Sequence, residues 1–314
     1  MIHSLRPVAL AIVPLLVVSP AARESSAQDK PAIAATVQGE PITVNQLERE
    51  LQRVIQGRQV GAEERVELQK QVLALAVDRQ LVLHWLQQTN QGASKQDLEL
   101  LMARLGKKLD NEGRTLAEFL QKLGQTEAEF RAQQLWELSW QKYLDRYLTE
   151  TNLQKFFEKN KRDFDGTELH VAHILLAAPK NGSADDWAKL HQQAETIRAD
   201  IVAKKITFAE AAQRHSSSPT AAAGGDIGWI KRREPMPESF SAAAFKLEPG
   251  QISPPVETIF GVHLITCLEV RPGTLTWKDS AEDLRPAVIR YLFRWIADKE
   301  RPTAKIEYTD QWPH

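Results

Sequence analysis

The stretch Gly224-Gly225-Asp226-Ile227-Gly228-Trp229 places three glycines in five positions. Neither a helix interior nor a strand gains from that density, because glycine loses the most backbone entropy and brings no side chain to pack. The stretch predicts a tight turn delivering a short strand, with Ile227 and Trp229 on one side of it. It is not G-x-G-x-x-G, and no lysine follows to complete a phosphate loop. The order of its neighbours is the informative part. A strand-like segment with His173 lies upstream, Met236 and Phe240 follow, and a second strand-like segment carries His263.

A chain of 314 residues is long enough for two domains with separate cores. With 26% charged and 42% hydrophobic residues, it has the balance of a soluble globular protein. A net charge of −1 argues against a nucleic-acid partner or a polybasic membrane contact. Cys267 is the sole cysteine, so an intramolecular disulfide is impossible. Near the start, Arg6 precedes an apolar run over 8–18, followed by Ser19, Ala21, Ala22 and Ser25-Ser26-Ala27. This is the layout of a secretory signal peptide over 1–27, cleaved after Ala22 or Ala27. The run is interrupted by Pro14 and is short for a bilayer span. The reading is therefore export to the periplasm or the extracellular side of the envelope, with no membrane span in the mature chain. An uncleaved anchor is the alternative.

Beyond a polar lead-in, residues 35–43 read as a strand, a turn at Gly39 and a return, with Thr43 capping the helix of Leu47, Leu51 and Val54. A long helix is expected over 62–88, with Val66, Leu73, Val77, Leu81 and Trp85 near one stripe. Capping boxes at Ser94/Asp97, Thr115/Glu118 and Thr126/Glu129 announce three more helices, and a further amphipathic piece covers 152–160. This region, 35–160, offers no metal cluster or catalytic triad, and its one histidine, His84, reads as helix filler.

A mixed pattern follows. A strand is expected over 169–176, ended by Pro179-Lys180-Asn181-Gly182, then a helix over 184–204 with Trp187, Leu190, Ala194, Ile197 and Ile201 on a stripe. A third type of segment, the helix capped by Thr207 and Glu210, ends near His215; short helix 237–247 and strand 262–270 close the order β-α-α-β-α-β-β. Lys231-Arg232-Arg233 reads as a solvated loop. After Arg271-Pro272-Gly273, a helix over 280–299 carries Leu284, Val288, Leu292 and Trp295 as an apolar stripe, and a final strand is expected within 303–308.

The ordered set Val171-Ala172-His173-Ile174-Leu175, Phe208-Ala209-Glu210-Ala211-Ala212, the glycine turn, Met236 with Phe240 and Phe245, Pro249-Gly250-Gln251-Ile252-Ser253, Pro255-Val256 and Gly261-Val262-His263 resembles the parvulin family of peptidyl-prolyl cis-trans isomerases over 168–270. The opening Val37-x-Gly39-x-x-Ile42-Thr43 and the helical rhythm of 35–160 resemble the chaperone region of SurA- and PrsA-type exported isomerases. The resemblance implies an α+β chain. A helical N-terminal chaperone domain, 35–160, would be completed by a C-terminal helix and strand within 274–314. The parvulin-like domain, 168–270, would be an insert with a four-stranded sheet.

Carried over by motif, the resemblance puts the proline pocket on Ile227, Met236 and Phe240, and the paired histidines on His173 and His263. Plain core packing is the other reading of the three pocket residues; Met236 favours a pocket, since methionine adapts to variable surfaces. His170 lies an odd number of positions from His173 and so faces the other side of the strand. The histidines are expected to hold a hydrogen-bonded network with a hydroxyl such as Thr258. Many parvulins place a cysteine or aspartate before the glycine turn; the match here is Ser218, which puts turnover in question. Phosphate-dependent members carry an arginine-lysine cluster after the first histidine strand. Here Lys180 stands alone before Asp185 and Asp186, so phosphoserine-proline is not the expected substrate.

Rotation about an amide breaks no σ-bond, so no nucleophile and no cofactor are required. The resemblance implies a prolyl isomerase and chaperone for unfolded, proline-containing polypeptide clients. The alternative is a peptide-binding holdase with a weakly active or inactive parvulin domain. A structural assembly partner in a secretion or exopolysaccharide system is a third.

Overall fold

The computed structural model describes residues 32–178, 183–233 and 235–314. The leader at 1–27 and the segment with Lys180 lie outside the described residues. The chain opens with β1 (Ile33–Val37) and β2 (Glu40–Thr43), joined through Gln38 and Gly39, both at positive φ. Two successive left-handed residues give a turn whose twist matches that of the strands. Thr43 then accepts a hydrogen bond from the Gln46 N–H and starts α1 (Val44–Ile55), which buries Leu47, Leu51 and Ile55. The 27-residue α2 (Ala62–Gln88) follows. Its Leu73, Val77 and Leu81 pack on the hairpin and α1, while Val82, Trp85 and Leu86 face later helices. Val66, expected on the stripe, is exposed near the start of the helix.

The three capping boxes read from sequence start α3 (Lys95–Asn111), α4 (Leu116–Leu123) and α5 (Glu127–Tyr147). Then come α6 (Glu150–Lys159) and the four-residue α7 (Lys161–Phe164). Next in the chain are β3 (Glu168–Ala177), α8 (Ala184–Val202), α9 (Phe208–His215), β4 (Asp226–Lys231) and α10 (Glu238–Ala244). The short β5 (Val256–Thr258) and long β6 (Gly261–Arg271) precede the tail, α11 (Ala281–Glu300) and β7 (Ile306–Tyr308).

The tail returns to the beginning of the chain. Strand β7 pairs antiparallel with β1, giving the order β2-β1-β7. Trp312 is buried beside them and donates its indole N–H to the Gln69 carbonyl at 2.9 Å. Leu284 and Val288 of α11 pack on Leu153 and Phe157 of α6, and Ile296 packs among Val82, Trp85 and Tyr143. The expected stripe ended one residue early. From Val288, steps of four give Leu292 and Ile296, so Trp295 lies on the shoulder of the stripe, 44% exposed and edge-on to Trp85.

Between α7 and α11 the chain leaves and re-enters the helical unit through two adjacent segments. The Asp165 carbonyl accepts from the Leu275 N–H at 2.9 Å, and the Thr167 hydroxyl accepts from the Gly273 N–H at 3.1 Å. A Cβ on Gly273 would lie 2.0 Å from the Asp165 carbonyl oxygen, so no side chain fits there.

The excursion builds a four-stranded antiparallel sheet, β4-β3-β6-β5. One face carries Ile174, Leu176, Val262 and Leu264 beneath α8 and α9. The other carries Leu169, Val171, Ile265 and Cys267 against Phe240, Ala244, Phe245 and Leu247. Strand β4 departs from simple alternation. Val171 pairs with Gly228 and Ala172 with Asp226, leaving Ile227 as the extra residue of a bulge. Ile227 therefore joins the Phe240 face, while Trp229 stacks on His170 on the opposite one. The expectation of one shared side for Ile227 and Trp229 is corrected by this bulge.

Arg232 and Arg233 are not a solvated loop either. Arg232 pairs with Asp163 of α7 and Glu238, and Arg233 pairs with Asp283 of α11 while lying over the Phe164 ring. Acidic partners from distant parts of the chain hold them.

Candidate active site

His173 and His263 meet because of sheet register. In β3 and β6, His173 is opposite Ile265 and Leu175 is opposite His263. The two histidines are thus diagonal neighbours on one face, within reach of each other. The glycine turn supports the first of them from behind. The His173 N–H donates to the Gly225 carbonyl at 2.9 Å, and a Cβ on Gly225 would sit 2.3 Å from the His173 carbonyl oxygen. Gly225 also has a φ of +83°. Close approach and left-handed backbone both require glycine here.

The two rings form the middle of a hydrogen-bonded row. Ser218 Oγ is 2.8 Å from His173 Nε2, His173 Nδ1 is 3.2 Å from His263 Nδ1, and His263 Nε2 is 2.8 Å from Thr258 Oγ1. All four side chains are buried. A nitrogen–nitrogen hydrogen bond needs one donor and one acceptor, so the neutral rings must be opposite tautomers. The row then runs in one of two directions, and the hydroxyls of Ser218 and Thr258 can close it either way. A single proton can be taken up with both hydroxyls accepting, at the cost of a buried charge, whereas protonating both rings would set two Nδ1 donors against each other. Burial lowers the pKa of His173, and burial followed by repulsion from His173 pushes His263 down to about 4. The row is uncharged at neutral pH.

Phe240 lies beneath both imidazoles, edge-on at 5.7 Å from His173 and 5.3 Å from His263. It is 0% exposed. Ile227 and Met236 pack on the same cluster but remain half-buried. The seven residues singled out from sequence thus gather at one place, with different exposures: a buried polar row, a buried aromatic floor and two apolar side chains open to solvent. His170 is on the opposite face, 2.8 Å from Asp226.

Thr220 was not anticipated. Its hydroxyl is 3.0 Å from Ser218 Oγ, and its N–H also reaches that oxygen. The Ser218-x-Thr220 spacing, able to make a local hydroxyl turn, was the available signal. Ser218→Ala is expected to lower the stability of the sheet domain by about 1–2 kcal/mol, because His173 Nε2 would be buried without its partner. Urea unfolding of the full chain checks this; an unchanged midpoint would contradict the role given to the hydroxyl.

Among the described residues no group of three or more His, Cys, Asp or Glu side chains is placed to hold a metal ion. A separate cavity of about 340 Å³ lies in the helical unit, between α1, α2 and α5, lined by Arg49, Glu50, Arg79, Leu83, Glu129 and Trp136 among others.

Comparison with known proteins places both halves of the chain. Residues 173–269 match the rotamase family described as the PPIC-type PPIase domain, and residues 5–144 match the SurA-like N-terminal domain. The chain is 26% identical over 265 residues to a Chaperone SurA of Aromatoleum aromaticum, covering 81% of this chain and 59% of that one. It is 34% identical over 127 residues to a Chaperone SurA of Hahella chejuensis, covering 40% of this chain and 29% of the relative. The chain therefore spans less than two thirds of the length of either relative. A solved structure of PrsA from Bacillus anthracis is similar at 19% identity and a TM-score of 0.35, covering 74% of this chain and 96% of that one. The chain thus joins a region that matches the SurA-like N-terminal domain to a region that matches the PPIC-type, or parvulin, peptidyl-prolyl isomerase domain.

Proposed function

We propose that the chain catalyses cis-trans isomerisation of X-Pro bonds in unfolded polypeptides and chaperones them through its helical unit. The observation that carries this reading is the uncharged row Ser218–His173–His263–Thr258 over Phe240, with half-buried Ile227 and Met236 beside it. Isomerisation has to overcome amide resonance, a barrier of roughly 18–20 kcal/mol for a peptide bond. A site lowers it by holding the twisted amide better than the planar one. The twisted amide has lost resonance and is the less polar carbonyl form, so apolar walls and neutral polar groups favour it. In this reading Ile227 and Met236 touch the proline ring, Phe240 supports the histidines from below, and the row keeps their rings in one orientation.

The substrate is proposed to be unphosphorylated. Asp186 is engaged in the cap of α8 with Ser183, and Asp185 adds a second negative charge near it, which disfavours a phosphate. The division into a helical unit of 35–160 with 274–314, interrupted by the isomerase insert 168–270, is part of the proposal. It is supported by the pairing of β7 with β1 and the packing of α11 on α2 and α6. Export after removal of a leader within 1–27 is proposed from the sequence pattern. Among the described residues no helix is long and apolar enough to cross a membrane.

A protease-coupled assay of the full chain on Ala-X-Pro-Phe peptides tests the activity, and accelerated cis-to-trans conversion is the expected result. A second reading, a holdase without useful turnover, is favoured by the neutral hydroxyl of Ser218 where an ionisable group is commoner, and by the cavity of the helical unit. Binding of the peptides without acceleration would select it.

A further inference from the structure

Three consecutive residues of α7, outside the isomerase sheet, each contact the isomerase domain. Arg162 donates to the Leu247 carbonyl at 2.7 Å and pairs with Glu248 at 3.0 Å, just beyond the end of α10. Asp163 accepts from Arg232 Nε at 3.0 Å. Phe164 lies under the Arg233 guanidinium, 5.5 Å from its centre. Arg232 in turn grips Glu238, the first residue of α10, through two bonds of 2.9 and 2.7 Å. Its side chain is only 16% exposed. A planar guanidinium bound bidentately sets direction as well as distance.

We propose that α7 positions the wall of the proline pocket. Asp163 acts through Arg232 on the start of α10, and Arg162 acts on the segment that ends it. Met236 lies between Arg232 and Glu238 in the chain, and Phe240 lies within the first turn of α10, so both pocket residues are on the segment held at its two ends. Arg162, Asp163 and Arg232 are positioning residues; none hydrogen-bonds to His173 or His263. The consequence is a link between the helical unit and the pocket, because α7 continues directly from α6, which packs under α11. A salt-bridge chain spanning two domains would be solvent-exposed decoration if it ended on a flexible loop. Here it ends on the first turn of the helix that carries the aromatic floor and on the backbone just beyond that helix.

This inference rests on the isomerase reading, so its test keeps the two apart. In the full chain, Asp163→Ala and Arg232→Ala are expected to raise KM for Ala-X-Pro-Phe peptides about threefold to tenfold, with kcat within about twofold of wild type. Arg232→Lys, which keeps the charge but loses the fork, is expected to fall between. Hydrogen exchange gives a readout independent of turnover: amides of 238–247 should exchange several-fold faster in both alanine variants, while those of β3 and β6 keep the wild-type rate. Arg131→Ala, removing the exposed ion pairs of α5 with Glu99 and Glu127, is the control. Unchanged exchange over 238–247 in both variants overturns the proposal, as does faster exchange with an unchanged KM in an active chain. Should the wild-type chain show no turnover, the isomerase reading falls, and exchange together with the peptide dissociation constant decides the positioning role.

Discussion

Phe240→Ala is expected to remove a large share of the stability of the isomerase domain. The ring is 0% exposed and packs on the cluster of Leu169, Val171, Ile265 and Cys267 as well as on both histidines. Truncating a buried phenylalanine typically costs about 3–5 kcal/mol, the lost transfer free energy plus the cavity left behind. Against a total of roughly 5–15 kcal/mol for a domain, that is a large share. The cavity would open directly beneath His173 and His263, so the hydrogen-bonded row loses its support along with the core. Phe240→Leu keeps most of the volume and should cost less than about 1.5 kcal/mol. It separates packing from catalysis: the domain stays folded while the edge-on contacts to the imidazoles are lost. Calorimetry of the full chain, with the peptide assay beside it, checks both variants. A Phe240→Ala chain that melts within about 1 kcal/mol of wild type would show that the ring is not the floor described here.

Acidification is expected to destabilise the same domain well before ordinary carboxylates titrate. In an unfolded chain a histidine takes up its proton near pH 6.5. In the folded domain His263 resists protonation down to about 4, and His173 is lowered as well. Between those values the unfolded state binds more protons, so stability rises with pH. The contribution is complete above about pH 6.5, is lost as pH falls, and for His263 is gone below about 4. From 6.5 to about 4, at 1.36 kcal/mol per pH unit, it is on the order of 3 kcal/mol for His263. The capping carboxylates Asp186 and Glu210 of this domain also have lowered pKa values, through hydrogen bonds from Ser183 and Thr207 respectively. Their stabilisation disappears only below the ordinary carboxylate range, so the window from 6.5 to about 4.5 belongs to the histidines. Melting of the full chain between pH 7.5 and 4.5 checks this. A flat melting temperature for the isomerase transition would contradict it. Ser218→Asp should shrink the dependence, because a carboxylate beside His173 Nε2 favours the charged imidazole.

Much of this was legible in the residues themselves. The capping boxes at Ser94/Asp97, Thr115/Glu118, Thr126/Glu129 and Thr207/Glu210 mark helix starts with hydroxyls and carboxylates three positions apart, and the structure begins helices at each. Such signals survive because donor and acceptor lie within one turn. Strand parity likewise separates His170 from His173, since the alternation of a regular strand is local geometry. The motif order Val171-Ala172-His173, glycine turn, Met236, Phe240, Gly261-Val262-His263 carried the family resemblance, and the seven residues singled out with it lie together in the structure.

Other features depended on partners far away in the chain. The bulge at Ile227 arises from how β4 registers against β3, and it sends Trp229 to the face opposite Ile227. Ile296 rather than Trp295 is buried because α11 rests on Val82 and Tyr143, more than a hundred residues earlier. Arg232 and Arg233 read as solvated charge until Asp163 and Asp283, 69 and 50 residues distant, are brought to them. The complete burial of Phe240 and the tautomer-ordered row of His173 and His263 also depend on two strands meeting in one register. Local composition therefore set the helices, the turn and the candidate side chains. Tertiary structure alone set which faces, charges and proton positions they present, because burial and long-range pairing are properties of the neighbours, not of the residue.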